Sequence, residues 1–260
     1  PNAWAAEAEL MARCAASAVD LIHAIDGEHG GWLLSQVPDA LFAGGRRPRF
    51  VASFHQPPDM LLAQINRVAL RRFDAVLVLC ESMRRALAGI VAPERLHVVP
   101  HGVDTDFFTP GPGRMPDGVF RMIAVGHWLR DYPTALAALA LLRARGLDAR
   151  LTIVWKDFPG ALPDGAMIAH GLTDQALRQA YRDADALFLP LTDATANNAI
   201  LEAMACGRPV VSTDVGGVRE ATGDAALLCP AGDAGAMADA LAALAADPAR
   251  AAALGRAARA

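Results

Sequence analysis

The amino-acid sequence predicts an α/β protein with two domains, each built on a parallel β-sheet. Two observations support this fold class. Short apolar runs alternate with helical stretches along the whole chain, and one segment dense in proline and glycine divides the series into two sets. Such alternation usually produces parallel strands covered by helices on both faces. The 260 residues are long for one hydrophobic core and sufficient for two.

The first predicted sheet precedes the dividing segment TPGPGRMPDG. Its four strands are short runs bounded by turn residues: VDLIHAI (19–25), RFVASFH (49–55), DAVLVLC (74–80) and RLHVVP (95–100). The opening stretch and MLLAQINRVALRRF (60–73) each predict one amphipathic helix. His23 lies inside the first strand, so we expect its side chain in the core. This domain is placed at residues 1–110, followed by a linker at 111–118.

The second predicted domain, residues 119–260, repeats the alternation with six strands. The strands are FRMIAVG (120–126), RLTIVW (150–155), AMIAHG (166–171), DALFLP (185–190), RPVVST (208–213) and AALLCP (225–230). Helices are predicted at YPTALAALALLRARG (132–146), TDQALRQAYRDA (173–184) and AGAMADALAALAAD (234–247), and within TANNAILEAMACGRPVV (195–211), where the helix stops at Gly207. Ligands of open α/β sheets bind at the carboxyl ends of strands, so the residues that follow each strand are the candidate site.

Composition argues against several classes of protein. The net charge is −4 with both signs spread evenly along the chain, which argues against a nucleic-acid partner. No apolar run approaches the roughly 20 residues of a membrane span. The four cysteines form no CxxC pair, so we expect reduced, buried thiols in a cytoplasmic protein. Basic residues in GGRRPRF (44–50) leave open a weak peripheral association with the inner membrane face, although a solvated face is favoured.

The stretch TANNAILEAMACGRPVV (195–211) joins a polar cluster to a short apolar helix and a buried strand. Asn197 or Asn198 can cap this helix, and the backbone N–H groups that follow favour an anion such as phosphate. Glu202 lies just over one turn inside the helix, and its side chain leans back toward the same end. A carboxylate beside a phosphate is electrostatically unfavourable unless it binds hydroxyl groups, such as those of a ribose. Simple caps and a solvated glutamate explain the pattern equally well.

Five segments resemble family 4 of the retaining glycosyltransferases, which have the GT-B fold. They are SFHQPP (53–58), VVPHGVDTDFFTPG (98–111), AVGHWLRDYPTALAALALL (124–142), GLTDQALRQAYRDADALFLPL (171–191) and LEAMACGRPVVSTDVGG (201–217). The resemblance implies two Rossmann-like domains facing across a cleft, with an acceptor-side domain first and a nucleotide-sugar donor domain second. It also implies a fragment that lacks the start of the N-terminal domain and the extreme C-terminal helices. We therefore expect an open apolar edge at strand 19–25.

The resemblance also assigns roles to individual residues. His55 matches the histidine near the reacting sugar, and Glu202 matches the glutamate that binds the nucleotide ribose. The other matches lie on backbone that meets the donor. They are Ala199, Ile200 and Leu201 at the diphosphate, Gly171 and Leu172 beside the base, and Gly216 and Gly217, where the lack of side chains permits close approach.

The family's paired glutamates, E-x7-E, are incomplete in this chain. The first of them should fall at position 194, which is Ala194. A carboxylate one residue earlier, Asp193, is the first candidate to replace it at the donor sugar. Asn197 is the second, and Asn198 lies beside it at the helix start.

The loop GHWLRDYP (126–133), which follows the first strand of the second domain, also departs from the family pattern. It begins at Gly126 and has no lysine to bind the diphosphate. Arg130 would bind the diphosphate through bidentate contact, with His127 contributing when it is protonated. Lys156 is a further candidate, although a solvated loop lysine is slightly favoured.

The expected reaction moves a sugar from a nucleotide-diphosphate sugar to an acceptor hydroxyl, with the retention of configuration that the resemblance implies. A helix N-terminus and a cation stabilise the leaving diphosphate, so we expect no metal and no cofactor beyond the donor substrate. The acceptor is a glycan, a lipid or a small molecule. His55, Arg130 and Asp193 are the catalytic candidates. Two alternatives are left open: a catalytically impaired nucleotide-sugar-binding module, motivated by Ala194, and a GT-B sugar-nucleotide epimerase.

Overall fold

The computed structural model describes residues 3–112, 115 and 117–260. Contacts between Cα atoms divide the chain into two compact units, which meet in the sequence between Pro100 and His101. Residues 113, 114 and 116 of the predicted linker lie outside the described residues.

The first unit contains a four-stranded parallel sheet. Its strands are β1 (Leu21–Ala24), β2 (Arg49–Phe54), β3 (Ala75–Val78) and β4 (Leu96–Val98), in the order β1-β2-β3-β4. All four predicted strands are confirmed. Strand β1 lies at one edge and pairs with β2, and near it Leu21 and Ile25 are 54% and 70% exposed. This edge is therefore apolar, as expected from the sequence.

In the described part of this unit, five α-helices accompany the sheet: α1 (Ala3–Ala16), α2 (Trp32–Gln36), α3 (Pro58–Gln64), α4 (Arg67–Leu70) and α5 (Glu81–Leu87). The single helix predicted over 60–73 is wrong, because the chain turns between α3 and α4. Ile65 is extended there, with φ −70° and ψ 134°. The side chain of Asn66 then accepts hydrogen bonds from the N–H groups of Val68 and Ala69, which starts a new helix.

The prediction that His23 lies in the core is also wrong. Alternation along β1 buries Ile22 and leaves Leu21 and His23 exposed on the opposite face. The Nε2 atom of His23 lies 2.8 Å from the hydroxyl of Ser53 on the neighbouring strand. Apolar residues on both sides of His23 in the sequence concealed its position on the exposed face of an edge strand.

The second unit contains a six-stranded parallel sheet in the order β10-β9-β8-β5-β6-β7. The strands are β5 (Phe120–Val125), β6 (Ala149–Val154), β7 (Ala166–Ala169), β8 (Ala186–Leu189), β9 (Val210–Thr213) and β10 (Ala226–Cys229). The helices are α6 (Tyr132–Ala144), α7 (Asp174–Asp183), α8 (Asn198–Ala205), α9 (Val218–Thr222), α10 (Ala234–Ala246) and α11 (Pro248–Arg259). The six predicted strands and four predicted helices are confirmed.

Residues 101–110, which the sequence places in the first domain, belong by their contacts to the second unit. Arginines of its helices hold this segment. Arg178 donates to the carbonyl oxygen of Phe107 at 3.1 Å and lies over its ring, and Arg182 donates to that of Thr109 at 2.7 Å. These contacts between distant parts of the chain are not visible in the composition of the segment.

Strand order locates the candidate site. The chain proceeds from β5 through β6 to β7 on one side of the sheet, and then crosses to β8 on the other side of β5. Crevices at such reversals, outside the carboxyl ends of the strands, are the usual ligand sites of open α/β sheets. In this unit the reversal brings the β5–α6 loop beside the β8–α8 loop.

Candidate functional site

Backbone hydrogen bonds join the β5–α6 and β8–α8 loops. The N–H of Thr192 donates to the carbonyl oxygen of Leu129 at 3.0 Å, and that of Asp131 donates to Pro190 at 2.9 Å. Leu129 has φ +59°, a left-handed conformation that costs a non-glycine residue about 1 kcal/mol or more. The two loops therefore form one connected surface, and part of it is held in a strained conformation.

Helix α8 begins at this surface. The Oδ1 atom of Asn197 accepts from the N–H of Ile200 at 3.3 Å, and its carbonyl oxygen accepts from Leu201 at 3.2 Å. Asn197 is therefore the N-cap of α8, which confirms one of the two residues that the sequence offered for this position. No described group accepts from the N–H groups of Asn198 and Ala199, the first two residues of the helix, so these are the free donors of its first turn.

Glu202 lies in α8 with its carboxylate held by a tyrosine. The hydroxyl of Tyr181, which is fully buried, donates to Oε2 of Glu202 at 2.8 Å. Burial raises the pKa of Glu202, and the hydrogen bond from Tyr181 partly offsets this rise. Burial also raises the pKa of Tyr181 well above its ordinary value, so this residue remains a donor. The arrangement leaves the other oxygen of Glu202 for a ligand.

Arg130 is a half-buried cation at the joined loops. Its Nε donates to the carbonyl oxygen of Val125 at 3.0 Å, and its Nη1 donates to that of Trp128 at 2.8 Å. Burial lowers the pKa of Arg130, and only tyrosines raise it again, because no described carboxylate pairs with this guanidinium. Gly126, with φ +88°, permits the arrangement, since a Cβ atom there would lie 3.0 Å from Nη2 of Arg130.

The β9–α9 loop closes against the same surface through a glycine. A Cβ atom on Gly216, whose φ is +51°, would lie 1.7 Å from the carbonyl oxygen of Ala194. That oxygen accepts from the N–H of Gly217 at 2.9 Å. Asp193 accepts through Oδ1 from the N–H of Ala194 at 2.7 Å. Gly216 therefore permits a close approach of the protein's own backbone, and the approach of a donor to the glycine pair stays a prediction.

Four aromatic rings support the β5–α6 loop. The ring of Trp155 is stacked between His127, at 5.6 Å between centroids, and Tyr132, at 5.5 Å. Phe158 meets the rings of Tyr132 and Trp155 edge-on. Burial raises the pKa of Tyr132 to about 12, and its hydroxyl donates to the carbonyl oxygen of Gly126. His127 is exposed at the end of this stack.

The remaining donor-side candidates follow β6 and β7. Lys156 is exposed beside Trp155. Gly171 is exposed with φ +65°, and Leu172 is half-buried. These residues share the carboxyl edge of the sheet with the joined loops, as the order of strands requires.

In the first unit, His55 follows β2 and is held by Glu28. The N–H groups of His55 and Gln56 both donate to Oε1 of Glu28, the second at 2.8 Å. The Oε2 atom lies 3.8 Å from Nδ1 of His55. His55 is thus fixed at the carboxyl edge of the first sheet, where ligands of parallel sheets bind.

Among residues 3–112, 115 and 117–260, no group of three or more histidine, cysteine, aspartate or glutamate side chains could hold a metal ion. The four cysteines are buried and form no disulfide. In the described part of the chain, no helix has the length and apolar character needed to cross a bilayer.

Three residues of these sites were not anticipated from the sequence: Tyr181, Trp155 and Glu28. Tyr181 lies in an amphipathic helix, where a buried tyrosine requires a partner for its hydroxyl. Trp155 is the last residue of one predicted strand and Glu28 follows another, and such positions carry ligands in parallel sheets. The signals were present, but the partner of each residue is distant in the sequence.

Family models match both halves of the chain. Residues 1–107 match the family described as "Glycosyltransferase Family 4", and residues 121–247 match "Glycosyl transferases group 1". A D-inositol 3-phosphate glycosyltransferase of Pseudarthrobacter chlorophenolicus is 34% identical over 190 residues, which are 64% of this chain and 45% of that protein. An MMP alpha-(1->4)-mannosyltransferase of Mycolicibacterium hassiacum is 32% identical over 144 residues, which are 51% of this chain and 34% of that protein. The chain thus spans between about a third and a half of the length of these relatives.

Solved structures show the same fold. Sucrose-phosphate synthase from Thermosynechococcus elongatus superposes with a TM-score of 0.78 at 22% identity, over 96% of this chain and 70% of that one. HepE of Anabaena, in complex with UDP, superposes with a TM-score of 0.77 at 16% identity, over 97% of this chain and 75% of that one. The chain therefore has the GT-B fold, and glycosyltransferase family models match each of its two halves.

Proposed function

We propose that the protein transfers a sugar from a nucleoside diphosphate sugar to an acceptor hydroxyl, with retention of configuration and without a metal ion. The donor binds at the joined loops of the second unit. The observation that carries the proposal is Arg130, a half-buried cation for which no described carboxylate provides a counter-charge. A buried charge is costly unless it is paired, and an incoming diphosphate supplies the missing anion.

Neighbouring groups suit the rest of such a donor. The free N–H groups of Asn198 and Ala199 lie at the positive end of the α8 dipole, which favours phosphate. Glu202, held by Tyr181, accepts hydrogen bonds from ribose hydroxyls. Breakage of the anomeric bond places negative charge on the leaving diphosphate, and donors fixed in advance stabilise that charge by about 3 kcal/mol each.

The proposed donor and acceptor classes follow from the relatives. HepE is bound to UDP and to UDP-glucose in its structures. Several relatives are named D-inositol 3-phosphate glycosyltransferases. We therefore infer a donor with a UDP-like nucleotide and an acceptor that presents a sugar or cyclitol hydroxyl. Asp193 or Asn197 contacts the donor sugar in place of the glutamate absent at Ala194, and the role of His55 stays the one that the family resemblance implies.

The test is turnover of UDP-glucose, GDP-mannose and ADP-glucose, with D-inositol 3-phosphate or water as acceptor. Release of the nucleoside diphosphate is followed with and without EDTA, and NMR reports the anomeric configuration of the first product. The proposal expects release from at least one donor, insensitivity to EDTA and a product with the donor's configuration. An inverted product would contradict retention, and loss of turnover in EDTA would contradict metal independence.

One observation favours a second candidate, a nucleotide-sugar-binding module without catalysis. Ala194 is 4% exposed and its carbonyl oxygen bonds Gly217, so this position offers no carboxylate to a donor sugar. Under this candidate, a nucleoside diphosphate binds but no sugar nucleotide is consumed.

A further inference from the structure

Glu28 is a buried carboxylate of the first unit to which neither the sequence nor the proposed function assigns a role. It lies in the loop that follows β1, and its side chain is only 1% exposed. A charged group in such a place is costly unless hydrogen bonds compensate it. The contacts of its two oxygens therefore indicate what it does.

The first oxygen, Oε1, holds the backbone that follows β2. It accepts hydrogen bonds from the N–H groups of His55 and Gln56. These donors lie just beyond the last residue of β2, Phe54, where the pairing with β3 ends. One oxygen of Glu28 thus fixes the position of the His55 main chain.

The second oxygen, Oε2, faces the His55 ring. It is buried and forms no hydrogen bond, and it lies 3.8 Å from Nδ1 of His55. A small rotation of either side chain brings this pair into hydrogen-bond distance. A neutral imidazole carries its proton on one nitrogen only, and the group facing the ring decides which one. A carboxylate opposite Nδ1 can only accept, so it favours the tautomer with the proton on Nδ1.

We propose that Glu28 is a positioning residue for His55. It holds the main chain of His55 through one oxygen and selects the Nδ1–H tautomer through the other. The Nε2 atom then carries the lone pair and accepts a hydrogen bond from a hydroxyl of the acceptor. This role in the reaction rests on the proposed function, whereas the choice of tautomer does not. The same logic governs the carboxylate–histidine pairs of hydrolases.

The substitution Glu28→Gln separates the two roles. A glutamine keeps an oxygen that can accept from the N–H groups of His55 and Gln56, but places an NH₂ group opposite Nδ1. That donor requires Nδ1 to accept, so the proton moves to Nε2. Glu7→Gln is the matched control, because Glu7 is also a buried glutamate of this unit that accepts two backbone N–H groups, those of Gly31 and Leu34, and its described contacts include no histidine.

The measurement is the ¹⁵N NMR signature of the His55 ring in the whole chain, with the pH raised until that signature no longer changes. His55→Asn identifies the signals. The expected result is Nδ1–H in the wild type and in E7Q, and Nε2–H in E28Q. The same tautomer in the wild type and E28Q overturns the proposal, as does Nε2–H in the wild type.

A kinetic measurement tests the consequence for the reaction, using UDP-glucose with water as acceptor. E28Q should lower kcat by about 10- to 100-fold, with the donor KM nearly unchanged and the melting temperature close to that of E7Q. A higher donor KM together with a lower melting temperature in E28Q would indicate a merely structural role and would overturn the proposal. If the wild type neither binds nor consumes a sugar nucleotide, the proposed function fails, and the NMR result alone decides the role of Glu28.

Discussion

The hydroxyl of Tyr181 donates a 2.8 Å hydrogen bond to the carboxylate of Glu202, and so connects a fully buried ring in α7 to the candidate ribose ligand in α8. The carboxylate would be more stable in water, since burial raises its pKa. A charge kept in such a place at a cost to stability is typical of a functional group. Tyr181 limits that cost and fixes which oxygen remains for a ligand.

Glu202→Gln should weaken nucleotide binding without weakening the fold. The pKa of Glu202 is raised above its unfolded value of about 4.3, so the folded state binds more protons between the two pKa values. The free energy of unfolding therefore falls as the pH rises through that window, and E202Q lacks this loss. We expect E202Q to be at least as stable as the wild type at neutral pH, with its relative advantage shrinking toward acid pH. Melting temperatures as a function of pH check this.

The binding part of this prediction uses the same variant. Loss of a charged acceptor at ribose hydroxyls should weaken binding of UDP, GDP or ADP by about 10- to 100-fold, as calorimetry would record. The exposed Glu94→Gln is the control and should change neither property. An E202Q variant that is less stable at neutral pH, or binds as tightly as the wild type, would contradict the assignment.

Arg130→Met should reduce diphosphate binding far more than stability. Methionine removes the unpaired charge but keeps a long side chain in the half-buried position, so the free energy of unfolding should change by only about 1–2 kcal/mol. UDP binding should weaken by about 10- to 100-fold, because a charge-assisted contact is lost. Arg150→Met, which removes an exposed cation paired with Asp148, is the control. Equal effects of the two variants on UDP affinity would count against Arg130.

Gly216→Ala should disrupt the joined loops. The added Cβ would lie 1.7 Å from the carbonyl oxygen of Ala194, and the backbone would also be strained at φ +51°. We expect a loss of at least about 3 kcal/mol in urea unfolding. Gly171→Ala is the matched control, because its φ is +65° but the space around it is open, so only about 1 kcal/mol should be lost. Similar losses in both variants would show that backbone strain, and not the close approach, matters at 216.

Trp155→Ala should loosen the support of His127. The ring is half-buried between His127 and Tyr132, so its removal should cost about 2–3 kcal/mol, and Trp155→Phe about 1 kcal/mol. UDP affinity should fall in the alanine variant and stay near that of the wild type in the phenylalanine variant. Loss of stability with unchanged affinity in W155A would restrict the stack to a structural role.

The alternation of apolar runs was sufficient to predict every strand of both sheets. It failed where one residue overrides a local pattern: Asn66 ends the helix predicted over 60–73 by capping a new one. His23 was misplaced because the pattern does not show which face of β1 is exposed. Each failure depends on a hydrogen bond or a face that only three-dimensional packing defines.

The candidate site was predicted only in part. The N-cap at Asn197 follows from local sequence, because a cap bonds residues two or three positions away. The partners of Glu202, His127 and His55 could not be predicted, because Tyr181, Trp155 and Glu28 reach them from other elements of the fold. Gly216 was selected for a close approach, but its contact with Ala194 required the structure.

The most direct test of the central claim, that the second unit binds a diphosphate at Arg130 and the start of α8, is calorimetric titration of the whole chain with UDP, GDP and ADP and with their parent nucleosides. The account predicts that at least one nucleoside diphosphate binds with one-to-one stoichiometry, and that its nucleoside binds at least about tenfold more weakly because it lacks the diphosphate. Absence of binding by all three at about 1 mM, or equal affinity for nucleoside and diphosphate, would contradict it.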